Sequence, residues 1–351
     1  MFEGLIHEWD GEEVVVRYDQ PSGTWMFVGV HSTVLGPGMG GTRMKTYDAP
    51  SDGLRDVLRL SGAMTLKNSV ARIPYGGGKA VLAVPSVPQG EERRRLLLRY
   101  AELVDSLGGT YIAAADMNTD ADDMDVVGER CRYVLGRSPS HGGAGDPAPG
   151  TAVGVFHGIL ACAAYAYGTR DLDGRSVLVQ GVGAVGGRLV ELLHEVGAVL
   201  LVCDVDPARA REAADRFGAK VVDPEAAAET ECDVYAPCAT GAVLSSDSIP
   251  RLRCRIVAGA ANNQLATPED AARIRDAGVL YAPDYVINAG GVLNLAALET
   301  LGWTETQLAE RLAAIGDTLT EVFRTAEGEG ITTDAAAGRL ARARIDAARS
   351  S

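Results

Sequence analysis

The stretch Val177-Leu178-Val179-Gln180-Gly181-Val182-Gly183-Ala184-Val185-Gly186 restricts what this chain can fold into more than any other. An apolar strand runs straight into three spaced glycines and then into a helix carrying Leu189, Leu192 and Leu193. The first glycine permits a tight turn, the second lets a pyrophosphate approach the backbone, and the third lets the helix pack on the strand. The helix then points the positive end of its dipole at the phosphates. A second apolar strand, Val199–Cys203, ends at Asp204, whose carboxylate would grip a ribose diol and repel a 2′-phosphate. A plain glycine turn beside a solvated aspartate is the alternative, but the strand and helix on either side argue against it. NAD is therefore the expected cofactor, held by Gly181, Gly183, Ala184, Val185, Gly186 and Asp204.

The surroundings of this turn set the fold class. From Ser176 onward, short β-branched runs near 177–180, 199–203, 233–236, 255–257 and 279–281 alternate with Ala-rich segments. That alternation predicts βαβ units in a parallel sheet. The first half has a different texture. Two strands over 12–31 turn at Pro21-Ser22-Gly23, and a helix with Leu54, Val57, Leu58 and Met64 carries Lys67 near its end. The run Pro74-Tyr75-Gly76-Gly77-Gly78-Lys79 precedes a strand over 80–84. A helix near 91–107 and a strand near 110–114 then deliver Asp116. A Gly/Pro-rich passage over 142–150 reads as a hinge, Val155, Phe156, Ile159 and Leu160 mark a helix after it, and the tail over 304–350 is helical. At 351 residues one core usually stops growing, so an α/β chain of two domains is expected.

Composition removes several classes of function. A net charge of −14 argues against a nucleic-acid partner, which requires clustered Lys and Arg. The six cysteines form no Cys-x-x-Cys pair and the five histidines show no ligand spacing, so no metal site is expected. Most of the cysteines lie in apolar stretches, as buried inert thiols do. No cationic segment followed by an apolar one opens the chain, and no apolar run reaches the length of a bilayer span. A soluble protein of the reducing cytoplasm, without a membrane partner, is the expectation.

Lys79 directly follows three glycines, a backbone with nothing to shield the lysine except whatever binds there. A lysine desolvated beside a second ammonium, such as Lys67, has a lowered pKa and can act as a base near neutral pH. Taken singly, a lysine is normally just a solvated surface residue. Asp116 either relays protons with Lys79 or caps the helix that follows it.

These residues carry a resemblance. Lys67 and the run from Pro74 to Lys79, Asp116-Met117-Asn118-Thr119, Asp122-Asp123-Met124-Asp125 and Gly145-Asp146-Pro147 leading to Thr151 resemble the Glu/Leu/Phe/Val dehydrogenase family. So do Tyr235-Ala236-Pro237-Cys238, Gly259 through Gln264, and Tyr281 through Gly291. The likeness runs in order from about residue 27 to the C-terminus. Within the family, Val177 to Gly187, Leu301-Gly302-Trp303-Thr304-Glu305 and the stretch from Ile315 to Leu319 are most similar to the actinobacterial phenylalanine-specific branch.

The resemblance implies a division of labour. Residues 1–148 would form a substrate-binding and oligomerisation domain and 149–328 a Rossmann-type NAD-binding domain, with a cleft between them. A C-terminal helix over 329–351 would pack back across the boundary. The implied reaction is reversible, NAD-dependent oxidative deamination of an L-amino acid to its 2-oxo acid, ammonia and NADH. Lys67 would pair with the substrate carboxylate, assisted by Asn263. Lys79 would activate the water that adds to the imine, with Asp116 moving protons to and from the amine. The Gly40 backbone would line the reacting centre, Thr151 would hold the nicotinamide carboxamide, and Ala239, Thr240 and Asn288 would border the cofactor. The positions implied to form the side-chain pocket, Met39, Ala114, Val292 and Leu295, carry no charge, so glutamate would bury an unpaired carboxylate there. A hydrophobic amino acid is expected, with phenylalanine ahead of leucine or valine on the overall likeness. Met39 and Val292 are bulky and lean toward branched aliphatic side chains, whereas Ala296-Ala297-Leu298 departs from the Val-Ala-Asp of aliphatic-specific relatives. A homo-oligomer is also implied. A non-catalytic NAD-binding sensor on the same fold would lack one of Lys67, Lys79 and Asp116, and all three are present.

Overall fold

The computed structural model describes residues 2–350. The chain forms two compact units: the first runs to Asp146 and takes in Leu295–Gly302 and the residues from Ala341 on, and the second comprises Pro147–Asn294 and Trp303–Leu340.

In the first unit, α1 (Phe2–Trp9) leads into β1 (Glu13–Asp19), β2 (Thr24–Ser32) and β3 (Gly38–Lys45), then α2 (Pro50–Val70) and β4 (Gly76–Ala83). Helix α3 (Gly90–Ser106), β5 (Tyr111–Ala115) and α4 (Ala121–Gly128) follow. The five strands order as β1-β2-β4-β3-β5, with β1 and β2 antiparallel to their neighbours and β3, β4 and β5 mutually parallel. Side chains alternate across the sheet with period two. Ala80 and Leu82 join the core under α3 and α4 with Met26, Leu96, Tyr100 and Met124, while Val81 and Ala83 join Leu54, Val57 and Leu58 of α2 on the other face. Lys79 shares the parity of Val81, which aims it at the α2 face.

Two features depart from the sequence expectation. The glycines before Lys79 are not a loop: β4 begins at Gly76, and all eight of its residues are buried. Strand β3, rich in glycine, was not anticipated at all. Glycine weakens a strand on its own, but here it admits close neighbours. A Cβ at Gly77 would lie 2.0 Å from Thr65 Oγ1 and 2.3 Å from the Thr65 amide nitrogen, so α2 can rest on β4 only because Gly77 lacks one.

The second unit opens with α5 (Ala148–Tyr167), then β6 (Ser176–Gln180), α6 (Ala184–Glu195), β7 (Val199–Cys203), α7 (Pro207–Phe217) and β8 (Lys220–Val221). It continues through β9 (Val234–Pro237), β10 (Ile256–Val257), α8 (Asp270–Asp276), β11 (Leu280–Tyr281) and α9 (Asp284–Ile287). Helices α10 (Gly290–Ala296), α11 (Glu305–Glu329) and α12 (Thr333–Arg349) complete the chain. The sheet is wholly parallel in the order β11-β10-β9-β6-β7-β8, the doubly wound dinucleotide-binding arrangement with its switch point between β6 and β9. The short β8 was not foreseen from the sequence.

Helix α5 corrects one expectation. By length and composition alone it is long and apolar enough to cross a bilayer, although no such run was anticipated. Half of its most apolar window is buried inside the protein, and Gly154 and Gly158 face Ile315 of α11 and Ile287 of α9. It is a core helix.

These contacts predict opposite effects for two glycines. Gly77→Ala forces a methyl into the α2 backbone and should cost about 1–3 kcal/mol, as overpacking does. Gly328→Ala, with nothing within 4 Å of the added carbon inside α11, should be neutral or stabilise by about 0.5–1 kcal/mol. Urea unfolding midpoints of the two variants test the pair.

Candidate active site

In the first unit, three parallel strands deliver the chemistry. Met39 on β3 pairs with Gly77 on β4, and Gly41 pairs with Ala114 on β5. Lys79 projects from β4 and is only 5% exposed. Asp116 stands just past the end of β5, where the chain turns. Thr119 secures that turn, accepting from the Asp116 amide and donating to the Thr42 carbonyl. Lys79 Nζ meets Asp116 Oδ2 at 2.9 Å, so the structure unites two of the residues expected to act together. The two uses of Asp116 are also separated. The cap of α4 is Asp120, which shares a capping box with Asp123, and Asp116 is free of that duty.

The electrostatics follow from burial. Removal from water pushes the Lys79 amine below its usual value, and the nearby Arg43 cation pushes the same way, against the pull of Asp116. Burial alone would raise the Asp116 carboxyl, but the Lys79 ammonium and the Arg43 guanidinium outweigh it and hold the acid at about 2.

The remaining first-unit candidates are placed as follows. Lys67 is half-buried in the last turn of α2. Its neighbour Asn68 donates to the Met39 and Gly76 carbonyls and so seats that turn against β3 and β4. The Gly40 carbonyl accepts a hydrogen bond from the buried Tyr111 hydroxyl at 2.7 Å. Met39, Ala114 and Leu295 are buried and apolar, and Leu295 lies beside Gly136. Arg43 is a residue the sequence did not single out. Its Nε bonds the same Asp116 oxygen as Lys79, and its other end reaches Asp56 on α2. The period-two spacing of Met39, Gly41 and Arg43 would have revealed it had β3 been recognised as a strand.

In the second unit, Gly181 leaves β6 with φ +92°, a left-handed conformation suited to glycine. A Cβ at Gly181 would clash with Ala239, and one at Gly186 would sit 1.8 Å from the Gly181 carbonyl oxygen. Gly183 is open by contrast, leaving the backbone at the start of α6 approachable. Ala184 and Val185 form the first turn of that helix. The Asp204 carboxylate accepts from the Val182 amide and from the Asp206 amide, each at 2.9 Å, which fixes it at the lip of the turn. Ala239 and Thr240, exposed past β9, stand across the switch point. Their loop is tied to the segment around Asn263 through the bond from the Ala242 amide to the Asn263 carbonyl. Thr151, in the first turn of α5, packs against Gly290 and Gly291, and Val292 lies half-buried one residue further along α10. Asn288 is 3% exposed; its amide nitrogen donates to Ala260 and Asn262, while its buried Oδ1 has no hydrogen-bond partner. An unmet buried acceptor costs about 1–3 kcal/mol, which an incoming amide donor such as a nicotinamide carboxamide would relieve. The glycine turn, the placed carboxylate and this acceptor fit a dinucleotide.

Comparison with known proteins identifies the family. Residues 16–133 match the sequence family described as Glu/Leu/Phe/Val dehydrogenase, dimerisation domain, and residues 205–351 match Glutamate/Leucine/Phenylalanine/Valine dehydrogenase. The chain is 42% identical to leucine dehydrogenase of Bacillus cereus over 341 residues, covering 97% of this chain and 92% of that protein. It is 43% identical to valine dehydrogenase of Streptomyces virginiae over 350 residues, covering 98% and 97%. Among solved structures it is similar to L-tryptophan dehydrogenase from Nostoc punctiforme, with a TM-score of 0.86, 39% identity and full coverage of both chains.

The depressed Asp116 value has a consequence for stability. A carboxyl titrating at about 2 when folded and about 3.9 when unfolded stabilises the fold above pH ~4 and loses that contribution as pH falls toward 2. The contribution is about 2–3 kcal/mol. Asp116→Asn should therefore be less stable than the parent at pH 7, with the difference shrinking between pH 4 and 2 in denaturant titrations.

Proposed function

This chain belongs to the Glu/Leu/Phe/Val dehydrogenase family, and on that premise we propose that it oxidatively deaminates a hydrophobic L-amino acid, branched aliphatic ones foremost, to the 2-oxo acid and ammonia. It is an amino-acid dehydrogenase, an oxidoreductase acting on the CH–NH2 group, with NAD as coenzyme. The observation that carries the mechanism is the buried Lys79–Asp116 pair.

NAD, when bound, accepts the hydride from Cα of the substrate; Gly181, Gly183, Ala184, Val185, Gly186 and Asp204 would hold its pyrophosphate and ribose, and Thr151, Ala239, Thr240 and Asn288 its nicotinamide end. Lys67 pairs with the substrate carboxylate, with Asn263 assisting, and so orients Cα. Lys79, whose amine is pushed below its usual value by burial and by the Arg43 cation, takes, once neutral, a proton from the water that adds to the substrate iminium. Protonating Asp116 is uphill while two cations face it. It becomes easier once Lys79 is neutral, so the two groups titrate as a coupled unit and can hand a proton onward. The resulting carbinolamine collapses to the oxo acid and ammonia.

None of the positions assigned to the substrate side chain, Met39, Ala114, Val292 and Leu295, carries a charge. Bulky Met39 and Val292 favour leucine or valine, in keeping with the leucine and valine dehydrogenases to which the chain is similar. Phenylalanine, placed first on the sequence alone, becomes the second reading. It rests on the overall likeness of the sequence and on Ala296-Ala297-Leu298, which departs from the Val-Ala-Asp of aliphatic-specific relatives. The first unit is assigned to substrate binding and to self-association into a homo-oligomer. Its edge strand β1 exposes Val16 and Tyr18 beside unpaired backbone groups, the kind of edge that a second copy can cover. The six thiols are unpaired, in keeping with a reducing cytoplasm.

NAD reduction, with ammonia release, screened against L-leucine, L-valine, L-isoleucine and L-phenylalanine tests the reaction and its substrate. Branched side chains should exceed phenylalanine in kcat/KM by about tenfold or more, the range an apolar pocket can discriminate. Turnover of a 2-hydroxy acid, and of no hydrophobic amino acid, overturns the assignment. Lys79→Met should lower kcat by about 10²–10⁴-fold, the usual share of a general base. Asp204→Ser should narrow the preference for NAD over NADP, read from the two coenzyme KM values.

A further inference from the structure

The Asp116 oxygen that receives Lys79 also receives Arg43, whose Nε lies 3.0 Å away. At its other end the Arg43 guanidinium donates to Asp56 Oδ2 at 2.9 Å. That carboxylate accepts the Tyr47 hydroxyl at 2.7 Å on the same oxygen and Arg59 at 2.8 Å on the other. The groups alternate in sign along this run of contacts: Lys79, Asp116, Arg43, Asp56, Arg59. The side chains of Lys79, Arg43 and Asp56 are 7%, 13% and 13% exposed, and that of Asp116 21%; only Arg59, at 53%, is in water. Charges so withdrawn from solvent are weakly screened, so each acts on its neighbours beyond direct contact.

We propose that Arg43 and Asp56 are positioning residues for the Lys79–Asp116 pair, with Arg43 orienting the Asp116 carboxylate and the two together setting how readily Lys79 releases its proton. The proposal rests on the reading that Lys79 is the base. Two features distinguish it from a mere clamp between α2 and β3. Arg43 bonds the oxygen that Lys79 uses, so the orientation of that carboxylate depends on both cations at once. The two partners also bear opposite charges, so they act on Lys79 with opposite sign: the Arg43 cation disfavours an ammonium there and the Asp56 anion favours one. The charged and titratable groups linked to the pair are Arg43 from β3, Asp56 and, through it, Arg59 from α2, Tyr47 from the segment joining β3 to α2, and Tyr111 from β5. From β2, Gly29 lies opposite Lys79, and His31 is engaged with Thr65. Burial and the Asp56 anion push the Tyr47 phenol up, so it stays a donor and adds no charge of its own.

The experiment is the pH profile of kcat for the full chain, with NAD and the amino acid that turns over best. The parent is compared with Arg43→Gln, Arg43→Lys and Asp56→Asn. Removing the cation at 43 should lower kcat by about 10–100-fold and move the acid limb, which reports the base in the enzyme–substrate complex, to higher pH by about one unit. KM for the amino acid should change far less than kcat. Asp56→Asn should move the same limb to lower pH, and Arg43→Lys should recover most of the limb position and part of the rate. Limbs unmoved in both neutral variants, or moved in the same direction, overturn the proposal even if both lose thermal stability. Should Arg43→Gln fail to fold, the downward shift in Asp56→Asn, or its absence, decides. Lys79→Met separates this failure from that of the functional reading: an active Lys79→Met removes the base itself, whereas an inactive one with unmoved limbs in the other variants removes only the role of Arg43 and Asp56.

Discussion

Lys79 leaves water at a cost of several kcal/mol unless an anion meets it with good geometry, and the first unit is built so that one does. Its strand is buried along its whole length, and its glycines let α2 and β3 approach closely enough to exclude solvent around the ammonium. Strand β5, parallel to β3, ends where its next residue can bring a carboxylate to 2.9 Å. Replacing a glycine of β4 by any larger residue would separate the elements that hold the two charges together. The core of this unit and its chemistry are thus one packing problem: the backbone proximity that buries Val81 and Leu82 also desolvates Lys79.

The second unit meets a different constraint. It must present bare backbone to phosphates while keeping its parallel strands covered on both faces. The order of its strands reverses beside β6, the point at which folds of this kind bind their ligands at the carboxyl ends of the strands. Gly181 and Gly186 permit the turn and the close start of α6, and Asp204 is pinned to the same turn by a backbone amide. Relatives with leucine, valine and tryptophan in their names share this chain's overall sequence or fold. That is expected where the reaction is set by charged groups and the substrate by a few apolar contacts, each worth only about 1–3 kcal/mol.

Much of this was legible before any coordinates. Parallel βαβ units leave a strong periodic trace, and the strands near 177–180, 199–203, 233–236, 255–257 and 279–281 all appear as β6, β7, β9, β10 and β11. Strand β3 and the first residues of β4 were not legible, because glycine carries no strand propensity and its use here is dictated by neighbours distant in sequence. The same gap hid Arg43 and Asp56: without β3, nothing indicates which face Arg43 occupies. The alternatives for Asp116 stayed open in the sequence because aspartate caps helices as readily as it pairs with lysine, and only the position of Asp120 decided between them.

The sequence alone therefore determined the glycine turn, the carboxylate that follows it and the parallel sheet that carries both, and it offered Lys79 and Asp116 as candidates for acid–base work. These are local matters: a strand, a turn and a helix in fixed order leave one arrangement open. The tertiary structure alone decided that Lys79 and Asp116 meet, that a guanidinium shares their oxygen, and that Asn288 keeps a buried acceptor unmet. Those outcomes depend on distances between segments far apart in the chain. Such distances come from how closely backbones can pack, which no pattern within one segment records.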